Sequence, residues 1–121
     1  MKLKDVIKLA DEIKPNAFSN EVKTLWLNEV EGLVMTEVLL LTVHDVAVYA
    51  YTYSKHENTT MMAKPPHDKI YTVYLCAMID FHNGEYDKYQ NTMQMFNAYF
   101  SEYMRWYARE YRPADGGDVR I

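Results

Sequence analysis

The sequence predicts a mainly α fold: a four-helix, bundle-like domain with a long C-terminal helix and a β-hairpin or irregular insertion at about 40–65. Three observations predict it. Apolar residues recur every three or four positions in four separate segments, as one face of a helix requires. Helix start and stop signals sit at their ends, Ser19 before the second and Asn83-Gly84 after the third. Between them, "DVAVYAYTY" alternates at period two, the spacing of a strand.

The first helix covers about 2–14, with Leu3, Val6, Ile7, Ala10 and Ile13 on one face. Pro15 stops it, because the residue before a proline avoids the helical region. Ser19 is the N-cap of the next helix, and Glu21 adds negative charge to its first turn. Phe18 precedes the cap and is placed to staple onto Val22 or the stem of Lys23. A stripe of Val22, Leu25, Trp26, Val30, Leu33 and Val34 carries this helix to about Leu39.

In the insertion, Ala47, Tyr49, Tyr51 and Tyr53 fall on one side, and Thr59 to Met62 is placed to pair back as a hairpin. Alanine and valine tolerate both states, so extension of a helix through "VHDVAVYAYTY" stays open. Pro65-Pro66 then leads into a helix over about His67–His82, whose stripe is Ile70, Val73, Tyr74, Ala77, Met78 and Phe81. Gly84 is free to close it in the left-handed region. The last helix covers about Glu85–Tyr111, ahead of Pro113 and "ADGGD". Residues 1–112 thus read as a single helical domain and 113–121 as a loose tail.

Composition excludes several function classes. The 121 residues carry a net charge of −4, against broad phosphate-backbone binding. No run of about 18 uncharged apolar residues is present, so no membrane span is expected. The one cysteine, Cys76, lies among apolar residues and reads as a small hydrophobe, not a nucleophile. His44, His56, His67 and His82 come singly, without metal-ligand spacing, and read as solvent-facing or capping. The acid pairs, Glu29 with Glu31 among them, read as solvated helix faces rather than catalytic carboxylates. No glycine-rich phosphate loop is present. The expectation is a protein with no catalytic, cofactor or metal residues and no specific nucleic-acid binding.

The aromatic segment is what stands out. Phe81 to Tyr111 holds six Tyr, three Phe, three Met and one Trp. Tyr86, Tyr89, Met93, Phe96, Phe100, Tyr103 and Tyr107 make one core stripe. Met95, Tyr99, Trp106 and Tyr111 fall partly outside it. An apolar face wider than one core stripe marks an interface, and Tyr, Trp, Met and Arg are the types enriched there.

The residues also carry a resemblance. Asp68, Ile70 and Tyr71; Tyr74, Leu75, Ala77, Ile79 and Asp80; Asn83 through Asp87 with Tyr89; and Met95, Phe96 and Asn97 resemble a recurrent C-terminal half of small proteins from tailed phages and prophages. The Lys14-Pro15-Asn16 turn, with a following helix bearing Trp26-Leu27, resembles their N-terminal part. The likeness covers about 1–39 and 66–112; residues 40–65 depart from it. These proteins are similar to the head–tail connector (adaptor, or head-completion) family. That resemblance implies a virion assembly subunit that forms a ring of copies beneath the portal and carries out no reaction. Its partners would be itself, the portal protein and the neighbouring tail-side connector, and its location the virion or the host cytoplasm. On this reading Met95, Tyr99, Trp106 and Tyr111, with Tyr49, Tyr51 and Tyr53 from the insertion, form the interface. The alternative is a small prophage-encoded cytosolic helical protein that binds other proteins or regulates.

Overall fold

The computed structural model describes residues 1–42 and 50–111. Its helices are α1 (Leu3–Ile13), α2 (Asn20–Leu33), a short α3 (Tyr53–His56), α4 (Lys69–His82) and α5 (Tyr86–Tyr111). A π-helical segment, Val34–Val38, continues α2, with the Leu39 N–H bonded to the Val34 carbonyl. The mainly α expectation holds.

The turn between α1 and α2 is set by Asn16. Its amide donates to the Asp11 carboxylate and the Lys14 carbonyl, both at 2.9 Å, and its Oδ1 accepts from the Phe18 N–H. Lys23, buried, reaches back to Asp11 at 2.7 Å. Ser19 caps α2 as expected, accepting from the Val22 N–H. The Phe18 ring meets Trp26 at 5.2 Å.

Helix α4 is the axis of the bundle, touching α1, α2 and α5. This explains why the single stripe expected for it fails. Ile70 and Ala77 are buried, but so are Tyr71, Thr72, Leu75, Cys76 and Ile79, while Val73, Tyr74 and Met78 are half-buried and Phe81 is exposed. A helix enclosed on three sides has no single inward face.

The turn into α5 follows the glycine signal. Gly84 has φ +78°, its N–H bonds to the Phe81 carbonyl, and the Glu85 N–H bonds to the Asp80 carbonyl at 2.9 Å. That pair of bonds is a Schellman closure, satisfying carbonyls the helix end would leave bare. A Cβ at Gly84 would meet nothing within 4 Å, so the cost of adding one is backbone strain alone. Gly84→Val should therefore lower stability by about 1 kcal/mol or more, read as a lower melting temperature. An unchanged melting temperature would refute the cap.

Helix α5 spans 26 residues, about 39 Å. Of its expected core stripe, Phe96, Phe100 and Tyr103 are buried, Tyr89, Met93 and Tyr107 are half-buried, and Tyr86 is exposed. In its first turn, Tyr86 and Tyr89 pack on the Phe81 ring.

Among the described residues the insertion has no strand pairing of its own. Thr60 makes an isolated antiparallel bridge to Lys2 instead of closing a hairpin. The reason lies in α1, whose first turn has no side-chain cap. The Leu3 and Lys4 N–H groups donate to the carbonyls of Thr59 and Glu57, both at 2.9 Å. The segment thus serves as a backbone cap for α1. The insertion is irregular here; most of its period-two run, including Tyr49, and the tail at 113–121 lie outside the described residues.

Candidate interaction surface

Two sets of residues stand out once the fold is assembled: a buried polar network that positions the insertion, and an apolar seam on the flank of α5.

The network centres on Glu31, 1% exposed. Its carboxylate accepts from the Tyr51 hydroxyl at 2.9 Å, the Tyr71 hydroxyl at 2.5 Å and the Met62 N–H at 2.9 Å. Tyr71 in turn accepts from the Ala63 N–H at 2.8 Å. One turn earlier, Asn28 clamps the Tyr51 backbone, accepting from its N–H and donating to its carbonyl, both at 2.9 Å. These bonds fix residues 51–63 on α2 and α4. They also correct two expectations. Glu31 is not on a solvated face, and Tyr51 is a core residue, 7% exposed, rather than part of an interface.

They explain the rotation of α2 as well. With Glu31 and Asn28 turned toward the insertion, Leu27 goes inside. Leu25 and Leu33, expected on the buried stripe, come out at 63% and 40% exposure. A sequence signal for Glu31 existed: it stands four residues after Leu27 and three before Val34, both fully buried.

Burial pushes the Glu31 carboxyl above its ordinary 4.5, and the hydrogen bonds from Tyr71, Met62 and Tyr51 offset that only in part. Burial and the Glu31 charge push the Tyr51 and Tyr71 hydroxyls upward, and burial raises Tyr103 to about 12. A carboxyl whose native pKa is raised binds its proton more tightly folded than unfolded. Its contribution is least favourable above the native pKa and improves as pH falls toward 4.5. The parent chain should therefore gain in melting temperature relative to Glu31→Gln between about pH 8 and pH 5. A gap independent of pH would contradict this.

The seam gathers three of the predicted interface residues. Met95, Tyr99 and Trp106 step by four and seven and share one flank of α5. Met95, 48% exposed, rims a groove of about 240 Å³ between α1, α4 and α5, with Ile13, Lys14, Thr72, Val73, Cys76 and Thr92. Tyr99, half-buried, lies under the Lys69 ammonium at 4.2 Å. Trp106 packs on His67 at 4.7 Å. Tyr111 is 59% exposed and covers Tyr107 and the edge of Trp106. Tyr53 is elsewhere, half-buried beside α1 and α2, bordering depressions lined by Lys4 and Lys8 and by Val22 and Leu25.

Among the described histidines only His67 departs from expectation, and His44 lies outside the described residues. His67 is buried between Tyr103 and Trp106, and His82, though exposed, stacks on Trp26 at 4.9 Å and 8°. His56 does cap, its Nδ1 lying 3.0 Å from the Thr52 N–H. Cys76 is buried on the groove floor, where burial pushes its thiol up, away from the reactive thiolate. Among the described residues no three His, Cys, Asp or Glu side chains are grouped to hold a metal ion, and no helix is long and apolar enough to cross a membrane.

Several residues that carry the phage resemblance have architectural roles here. Tyr71 bonds Glu31, Asp80 pairs with Lys14 at 3.1 Å, and Asn83-Gly84 closes α4. No family model matches the chain, and no curated protein or solved structure does either.

Proposed function

We propose that the chain is a structural subunit of a phage or prophage virion, a head–tail connector that assembles into a ring below the portal. The observation that carries this reading is the flank of α5. Met95 and Tyr111 are about half exposed, and Tyr99 and Trp106 half-buried, along the same helix that closes the core. A lone subunit keeps such residues in water at a cost of roughly 25 cal/mol for each Å² of apolar area. Contact with another protein removes that cost. The motif residues of the C-terminal half support the family, and their architectural roles suit a protein whose work is assembly.

The test is association. Purified chain should self-associate in sedimentation at high concentration, or bind the cognate portal ring. A strict monomer that also leaves that portal unbound contradicts the proposal.

A further inference from the structure

Of the seven asparagines, only Asn83 precedes a glycine, and it is exposed at the end of α4. That dipeptide carries a chemistry of its own. The Gly84 nitrogen, giving its proton to hydroxide, attacks the Asn83 Cγ. The Cγ–Nδ2 bond then breaks, ammonia leaves, and a five-membered imide remains. Water opens the imide at either carbonyl, leaving aspartate or isoaspartate. A side chain on the following residue crowds the attack, and glycine has none. The other asparagines precede Ala, Glu or Thr.

The fold holds the reacting groups apart. Asn83 has φ −93° and ψ 5°, in the sparsely allowed bridge region. With ψ near zero, the Gly84 nitrogen eclipses the Asn83 nitrogen and stands away from Cβ, which carries Cγ. Closing the imide ring needs rotation about the Asn83 Cα–C bond, and the turn opposes it. The Gly84 N–H is bonded to the Phe81 carbonyl at 3.1 Å, and the Glu85 N–H to the Asp80 carbonyl at 2.9 Å. The first of these bonds also holds the proton that the attacking nitrogen must give up. On the other side of the bond, the Asn83 N–H is tied to the Ile79 and Asp80 carbonyls at 3.1 and 3.2 Å.

We propose that Asn83 is a spontaneous modification site that the closed α4–α5 turn protects, and that isoaspartate formed there keeps the turn from closing again. Isoaspartate routes the main chain through Cβ and lengthens it by one carbon ahead of Gly84. The Gly84 and Glu85 N–H groups are then displaced from the carbonyls they satisfy. Aspartate keeps the length but puts negative charge at the carbonyl end of α4, where the helix dipole disfavours it. The reaction does not reverse, so it records how long the turn has stood open. Its consequence falls on α5, which this turn delivers to the core with Phe96, Phe100 and Tyr103. The inference is independent of the connector reading.

The test ages the full chain at mildly alkaline pH, native and in guanidinium chloride, and maps the tryptic peptide Ile70–Lys88 for deamidation and isoaspartate. The native chain should convert at least tenfold more slowly than the denatured one. Chain aged in denaturant and returned to buffer should melt lower than fresh chain, and the isoaspartate should be confined to the destabilised fraction. Asn83→Gln, whose longer side chain closes no five-membered ring, should keep its own fresh melting temperature after the same ageing. Equal rates in the two states would overturn the protection. An isoaspartate-bearing chain that refolds to the parental melting temperature would overturn the block on closing, and an aged Asn83→Gln that loses as much as the aged parent would remove Asn83 as the cause.

Discussion

Glu31→Ala should lower the unfolding free energy by about 3–5 kcal/mol, the range for breaking a buried, hydrogen-bonded charge site. The substitution takes the acceptor from the Tyr51 and Tyr71 hydroxyls and the Met62 N–H. Each buried donor left unpaired costs about 1–3 kcal/mol, less whatever water can recover. The damage extends beyond α2, because these bonds hold residues 51–63, and that segment caps α1 through Thr59 and Glu57. Urea unfolding should show a lower midpoint, and amide exchange should quicken in the first turn of α1. A loss below about 1 kcal/mol would mean the network does not hold the insertion in place.

Phe100→Ala and Tyr99→Ala should separate the two roles of α5. Phe100 is buried, with Phe96 and Tyr103 against it at 5.6 and 6.4 Å. Truncating it should cost about 3–5 kcal/mol, the usual range for a buried phenylalanine. Tyr99 is half-buried at the edge of the core, with the Lys69 ammonium 4.2 Å from its ring centroid. Truncating it should cost about 1 kcal/mol or less within a subunit and should weaken association instead. Equal losses of stability from the two, in denaturant unfolding, would place Tyr99 in the core and remove it from the interface.

Signals between residues close in sequence were readable. Ser19 and Asn83-Gly84 act through bonds between residues close in sequence, so their signals survived into the fold. The division of α5 held only in part: Phe96, Phe100 and Tyr103 are buried, but Tyr86 is exposed, and Tyr99 and Trp106 are half-buried against the core as Met93 and Tyr107 are. What failed depended on partners far along the chain. The orientation of α2 is set by Tyr51 and Tyr71, twenty and forty residues from Glu31, so a stripe judged on apolar residues alone put Leu25 and Leu33 inside. The buried stripe of α4 failed because three helices enclose it, which no local period reports. Tyr51 looked like a surface ring for the same reason that Glu31 looked solvated: each is buried because the other satisfies it.

The most direct test of the connector reading is sedimentation of the purified chain with the cognate portal ring that reading requires, for the parent and for Met95→Asp. The reading predicts that several parent copies migrate with each portal ring and that the substitution at the seam reduces the number bound. A parent chain that sediments as a free monomer beside an unoccupied portal would contradict it.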